Sequence, residues 1–189
     1  MRFFSYFSVL HFSNCYLIGP DGPGDAVLID AGVFDEGLLK LIEDNDLYVR
    51  WVLITHVHHG HVHGLQTLEK IYEATVYAFD AERLESPALP LSEGKPPACG
   101  PFSFEVLETP GHSNDSVCFL TDGMLFTGDT LSAGSVGRTP TGYGRALLLS
   151  SIRKKILTLK QNVLIFPGHG PPTRLEIESR FNPYLSEKL

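Results

Sequence analysis

Thr55-His56-Val57-His58-His59-Gly60-His61-Val62-His63 holds five of the chain's eight histidines. Just upstream, Tyr48-Val49-Arg50-Trp51-Val52-Leu53-Ile54 is apolar, β-branched and aromatic, which predicts a buried strand over 49–54. Just downstream, Leu65, Leu68 and Ile71 recur at helical spacing, which predicts a helix over 64–73. The histidines therefore fall on a loop between a strand's end and a helix's start. His56 and His58 are two apart, so an extended backbone points both rings the same way. Imidazole binds metals near neutral pH because one ring nitrogen is open to coordinate at little protonation cost. A single histidine here would read as a residue of a solvated loop. This density at a strand end points instead to a metal site.

At 189 residues and 43% hydrophobic content the chain reads as a single domain with a substantial core. A formal charge of −7 argues against a nucleic-acid partner. The basic run Arg153-Lys154-Lys155 reads as the solvated face of a helix. Cys15, Cys99 and Cys118 are scattered and odd in number, which suggests a reducing cytoplasm rather than a disulfide framework. Cys15 and Cys118 sit in apolar runs and are expected to be buried. No apolar run reaches the roughly 18 residues of a membrane-spanning helix. Residues 1–10 read as a first strand rather than a signal peptide, since serines interrupt them and no small-residue cleavage site follows.

Strands are expected over 2–9, 14–18 and 26–30, the last two forming a hairpin across the turn-rich 19–24. A helix is expected from Asp35 to about Asp44, a strand over 74–78, and a surface segment over 80–101 with one short helix at 80–85. Strands follow over 102–108, 117–120 and 124–127, with Asp122-Gly123 as a hairpin turn. Gly142-Tyr143-Gly144 reads as a flexible loop, 145–159 as a helix, 163–166 as a buried strand, and 176–189 as starting in a helix.

Thr55, His56, His58, His61 and Gly64 resemble the T-H-x-H-x-D-H-x-x-G signature of the metallo-β-lactamase fold family, with Gly60 in place of the aspartate. Four further stretches resemble that family in order, each at a strand's end: Asp30-Ala31-Gly32, Thr109-Pro110-Gly111-His112, Thr127-Gly128-Asp129-Thr130 and Pro167-Gly168-His169-Gly170. The resemblance implies an α/β fold, an αββα four-layer sandwich with the site on loops at one edge. It implies a first metal on His56, His58 and His112, with Asp129 adjacent, and a second on His61, His169 and the bridging Asp129. Asp30 would orient the histidine loop through hydrogen bonds, or else serve only as a turn or cap residue. Gly60 removes one anionic ligand from the second position. Waters, His59 or His63 would fill that gap, or the second ion would be partial or absent. The expectation is a filled first position and a partial second.

Residues 132–139 resemble small glyoxalase II-like hydrolases, in which Arg138 would face the anionic end of a substrate; alternatively it pairs with a surface acid. Tyr143 is a candidate pocket-lining aromatic. The resemblance implies a metal-dependent hydrolase that turns a metal-bound hydroxide on a thioester or small acyl ester, with no serine or cysteine nucleophile. The helical C-terminal domain with which full glyoxalase II holds glutathione does not follow, which weakens glutathione as the specific substrate. One alternative is a mononuclear non-haem iron persulfide dioxygenase, on two histidines and Asp129. Another is a catalytically weak metal-binding relative that serves a partner. Zinc leads as the ion, and iron and manganese suit the same donors. The acidic charge disfavours a nuclease role, and the absent leader and the cysteine pattern disfavour a secreted β-lactamase.

Overall fold

A computed structural model describes residues 1–186, and its contacts divide into two compact units. The first comprises Met1–Leu91 and Pro97–Pro101; the second comprises Ser92–Pro96 and the residues from Phe102 onward.

The first unit runs β1 (Arg2–Ser8), β2 (Ser13–Gly19), β3 (Gly24–Ile29), α1 (Glu36–Glu43), β4 (Leu47–Leu53), α2 (His59–Val62), α3 (Leu65–Leu68), β5 (Thr75–Ala78) and β6 (Leu89–Pro90). Its strands form one sheet in the order β1-β2-β3-β4-β5-β6. The expected β2–β3 hairpin is present and antiparallel, while β3, β4, β5 and β6 are mutually parallel. Leu17, Leu28, Val49, Val52 and Ile54 form its core with Leu38 and Ile42 of α1. That helix starts where the sequence placed it, because the Asp35 carboxylate accepts the Leu38 N–H at 3.0 Å as its cap.

The parallel β3–β4 pairing fixes the site end of this unit. Ile29 lies opposite Leu53, so both strands end at one edge and the Asp30 N–H donates to the Leu53 carbonyl at 2.9 Å. Beyond that edge the backbones press together. A Cβ on Gly32 would lie 1.9 Å from the Gly60 carbonyl oxygen, and one on Gly64 would lie 2.3 Å from the Val33 carbonyl carbon. Gly32→Ala is therefore expected to force the Gly60 backbone aside and cost about 3 kcal/mol, the upper range for overpacking, as read from a denaturation midpoint.

Two expectations change here. The histidine stretch is not wholly loop, since His59–Val62 forms one helical turn. The helix expected over 64–73 is reduced to Leu65–Leu68 with turns beyond it. Gly64 between them lets the chain meet the Ala31 carbonyl, which accepts its N–H at 2.7 Å.

The second unit runs β7 (Glu105–Glu108), β8 (Val117–Thr121), β9 (Met124–Gly128), β10 (Leu131–Ser132), β11 (Ser135–Val136), α4 (Gly142–Ser151), a π turn (Ile152–Ile156), β12 (Leu164–Pro167), β13 (Thr173–Arg174), α5 (Leu175–Phe181) and α6 (Pro183–Ser186). Its main sheet is ordered β13-β12-β9-β8-β7, and β10 pairs with β11. Leu107, Cys118, Leu125 and Ile165 pack with Leu148, Ile152 and Ile156 as its core. Strand β8 is antiparallel to both β7 and β9, and β9 is parallel to β12. The 109–116 loop, the end of β9 and the end of β12 consequently share one edge of this sheet.

The loop expected at Gly142-Tyr143-Gly144 is instead the first turn of α4. The Thr141 hydroxyl caps it, accepting the Gly144 N–H at 3.0 Å, and this offsets the poor helix propensity of two glycines. The stretch 176–189, expected to begin as a helix, does so in α5 and α6, and its last three residues lie outside the described residues. Among the described residues, no helix is long and apolar enough to cross a membrane.

Candidate metal centre

In the first unit, the buried Asp30 is the hub. It holds a left-handed backbone with φ of 56°, which aspartate tolerates better than most residues. Its Oδ1 accepts the Thr55 N–H at 2.8 Å, and its Oδ2 accepts the Thr55 hydroxyl at 2.8 Å. The His61 Nδ1 lies 2.7 Å from the same Oδ2.

These bonds set the ring tautomers. A carboxylate only accepts, so His61 carries its proton on Nδ1. The single hydrogen of the Thr55 hydroxyl goes to Asp30. At 3.2 Å from His56 Nδ1 that oxygen can therefore only accept, and His56 is protonated on Nδ1 as well. Nε2 is then the open nitrogen of both rings. The His56 and His58 ring centroids are 4.6 Å apart, and those of His56 and His61 are 4.1 Å apart, so the three rings form one cluster.

In the second unit, the His112 Nδ1–H donates to the Arg138 carbonyl at 2.7 Å, which again leaves Nε2 as the open nitrogen. That Nε2 lies 3.5 Å from Asp129 Oδ2, while His169 Nδ1 lies 2.6 Å from Asp129 Oδ1. One carboxylate thus stands between two imidazoles. Parallel pairing of β9 with β12 causes this, since the Gly168 N–H donates to the Gly128 carbonyl at 2.7 Å and brings the following residues side by side. Gly137 allows the same crowding, because a Cβ there would lie 2.0 Å from the Asp129 carbonyl oxygen.

His112, Asp129 and His169 line a cleft of about 400 Å³ with Ser132, Val136 and Arg138. Tyr143 is not among its lining residues; it is 78% exposed on α4. No ion pair joins Arg138 to an acid among the described residues. His59 and His63 form a group with His11 of the β1–β2 turn rather than with the histidines of the Asp30 network.

The thiols offer no rival nucleophile. Burial pushes Cys15 and Cys99 up to about 12 and Cys118 up to about 11, which keeps all three protonated near neutrality.

Thr55 matched the family signature, but its relay role was not foreseen, because a hydroxyl's function depends on which groups flank it. The same holds for the Arg138 carbonyl, which orients His112 whatever the side chain is. Thr55→Val keeps the shape but removes the hydrogen-bond bridge between Asp30 and His56. Metal affinity is expected to fall about 10-fold, measured by competition with a chromogenic chelator.

The metallo-beta-lactamase superfamily matches residues 9–169 of the chain. Hydroxyacylglutathione hydrolase GloC of Haemophilus influenzae is 32% identical over 199 residues, spanning 93% of each chain. In structure the chain resembles ETHE1 from Myxococcus xanthus, with a TM-score of 0.88 and 30% identity over 100% of this chain and 86% of that one. It also resembles TTHA1623, solved in a di-iron-bound form, with a TM-score of 0.83 and 31% identity over 96% of this chain and 100% of that one. The chain belongs to the metallo-β-lactamase superfamily and has that superfamily's fold, with mixed sheets and helices in both units.

The donor set of each unit fits a divalent cation. Imidazoles held by oxygen acceptors at Nδ1 and presenting Nε2, together with a carboxylate, are the usual ligands of catalytic zinc and of non-haem iron.

Proposed function

We propose that the chain is a metal-dependent hydrolase of the glyoxalase II-like type, which cleaves a thioester or small acyl ester. In this reading His56, His58 and His112 hold a first divalent ion, and His61, His169 and Asp129 hold a second. The observation that carries it is that Nδ1 of His56, His61 and His112 each meets an oxygen, at 3.2, 2.7 and 2.7 Å, which leaves Nε2 as the open nitrogen of all three rings. A histidine used only for packing has no need of such a constraint.

When bound, the cation supplies Lewis acidity that makes water nucleophilic near neutral pH and offsets charge on the carbonyl oxygen. The protein's own groups do the rest. Asp30 and Thr55 hold two rings in one orientation. The Asp129 carboxylate, flanked by two imidazoles, is placed to accept a proton at an oxygen. Arg138, which lines the cleft with His112 and Asp129, would offer its guanidinium to an anionic end of the substrate. Zinc is the first choice of ion, and iron or manganese fits the same donors.

Gly60 gives a second reading its footing. Without a carboxylate there, the second position is weak, and two histidines with Asp129 suit a mononuclear iron centre for persulfide oxidation. One experiment separates the readings. The purified chain is reconstituted in turn with zinc and with ferrous iron, and offered a hydroxyacylglutathione thioester or glutathione persulfide. The hydrolase reading expects free thiol to appear without oxygen uptake, to stop on chelation and to return with added metal. Oxygen consumption with the persulfide alone would favour the dioxygenase. No turnover of either substrate despite bound metal would leave a metal-binding relative that serves a partner.

A further inference from the structure

His11, His59 and His63 all lie in the first unit, and each offers a ring nitrogen within 4.8 Å of those of the other two. His59 and His63 are four apart across the single turn of α2, and the His63 N–H donates to the His59 carbonyl at 3.0 Å. That spacing places both rings on one face. Their centroids are 4.3 Å apart, and the His11 ring stands 4.9 Å from His59 and 5.0 Å from His63.

We infer that these three imidazoles form a separate cation site, which takes a divalent first-row ion such as zinc and clamps the β1–β2 turn to α2. Four-coordinate zinc with nitrogens at about 2.0–2.1 Å needs donors roughly 3.3 Å apart. His59 and His63 are exposed, so side-chain rotation can draw the nitrogens in with no core to repack. Imidazole is a good ligand for zinc, copper and nickel, and water completes a set of three. The same geometry explains why His59 and His63 do not stand in for the carboxylate missing at Gly60: they face His11. The clamp spans a turn whose other side chains are open to solvent, Val9, Leu10 and Phe12 among them, so little else pins it. It also braces α2, which carries His61.

The test uses the full chain and zinc alone. Bound zinc is counted by equilibrium dialysis for the wild type, His11→Gln, His63→Gln and the double variant His56→Gln/His58→Gln, and Tm is measured with and without excess zinc. The expected result is that H11Q and H63Q each bind one zinc fewer than the wild type and lose part of the zinc-dependent rise in Tm. The double variant is expected to keep the zinc that H11Q loses, so failure of the hydrolase reading does not affect this outcome. Should H11Q and H63Q bind as much zinc as the wild type, the site is refuted. A zinc-edge anomalous map of soaked wild-type crystals decides the matter without variants. A peak bonded to all three rings supports the site, and its absence overturns it.

Discussion

Asp30→Asn is expected to lower kcat/KM about 100-fold while leaving the fold intact. The reason lies in proton placement. The introduced amide would keep its oxygen where Oδ1 accepts the Thr55 N–H. Its NH2 would then occupy the Oδ2 position, facing the Thr55 hydroxyl and His61 Nδ1. A donor there forces His61 to accept at Nδ1 and carry its proton on Nε2, the nitrogen needed for a cation. The Thr55 hydroxyl, receiving a hydrogen from the amide, turns its own hydrogen to His56 and flips that ring's tautomer too. One atom exchange therefore disables two ligands. Asp30→Ala removes the acceptor of two buried Thr55 donors, at about 1–3 kcal/mol each. It also puts alanine at φ of 56°, at a further cost of about 1 kcal/mol. The alanine variant should thus unfold several kcal/mol more easily, whereas the asparagine variant should melt near the wild type but lose metal. Thermal melts paired with metal analysis check both. An asparagine variant with wild-type metal content and rate would show that the tautomers do not matter.

Gly60→Asp is expected to raise the ions held in the two proposed positions from about one to about two, leaving any ion at His11, His59 and His63 unchanged. Glycine at this position leaves the proposed second position with His61, His169 and Asp129 alone. A restored carboxylate would add an anionic oxygen donor, the kind of ligand that raises affinity for a hard or borderline divalent cation. The tightened second ion should show as at least a 10-fold drop in its dissociation constant, on the order of the gain typical of an added ligand contact. Titration calorimetry with zinc on both proteins reads this directly. An unchanged stoichiometry would mean that Gly60 is not where the deficit lies.

Much of this architecture could be read from the chain because its physics is local. The apolar run before Thr55 became β4 (Leu47–Leu53) within a few residues, and α1 (Glu36–Glu43) falls where the helix from Asp35 was expected. Cys15 and Cys118 are buried as their apolar neighbours implied. What escaped depended on distant partners. The two-residue strands β6, β10, β11 and β13 are too short to show any periodicity. Gly142 and Gly144 masked a helix start that Thr141 makes possible. The strands brought Asp129 beside His169 by parallel pairing, an arrangement suggested only by family resemblance. His11 carried no signal at all: a lone histidine in a turn acquires meaning only once α2 places His59 and His63 next to it.

The proposed function requires one divalent ion on His56, His58 and His112 and a more weakly held one on His61, His169 and Asp129. An anomalous-scattering map recorded on crystals grown with equimolar zinc tests it most directly. The predicted result is a strong peak bonded to His56, His58 and His112, and a weaker one bonded to His61, His169 and Asp129. A map with no density at either set, or with two equally strong peaks despite Gly60, would contradict it.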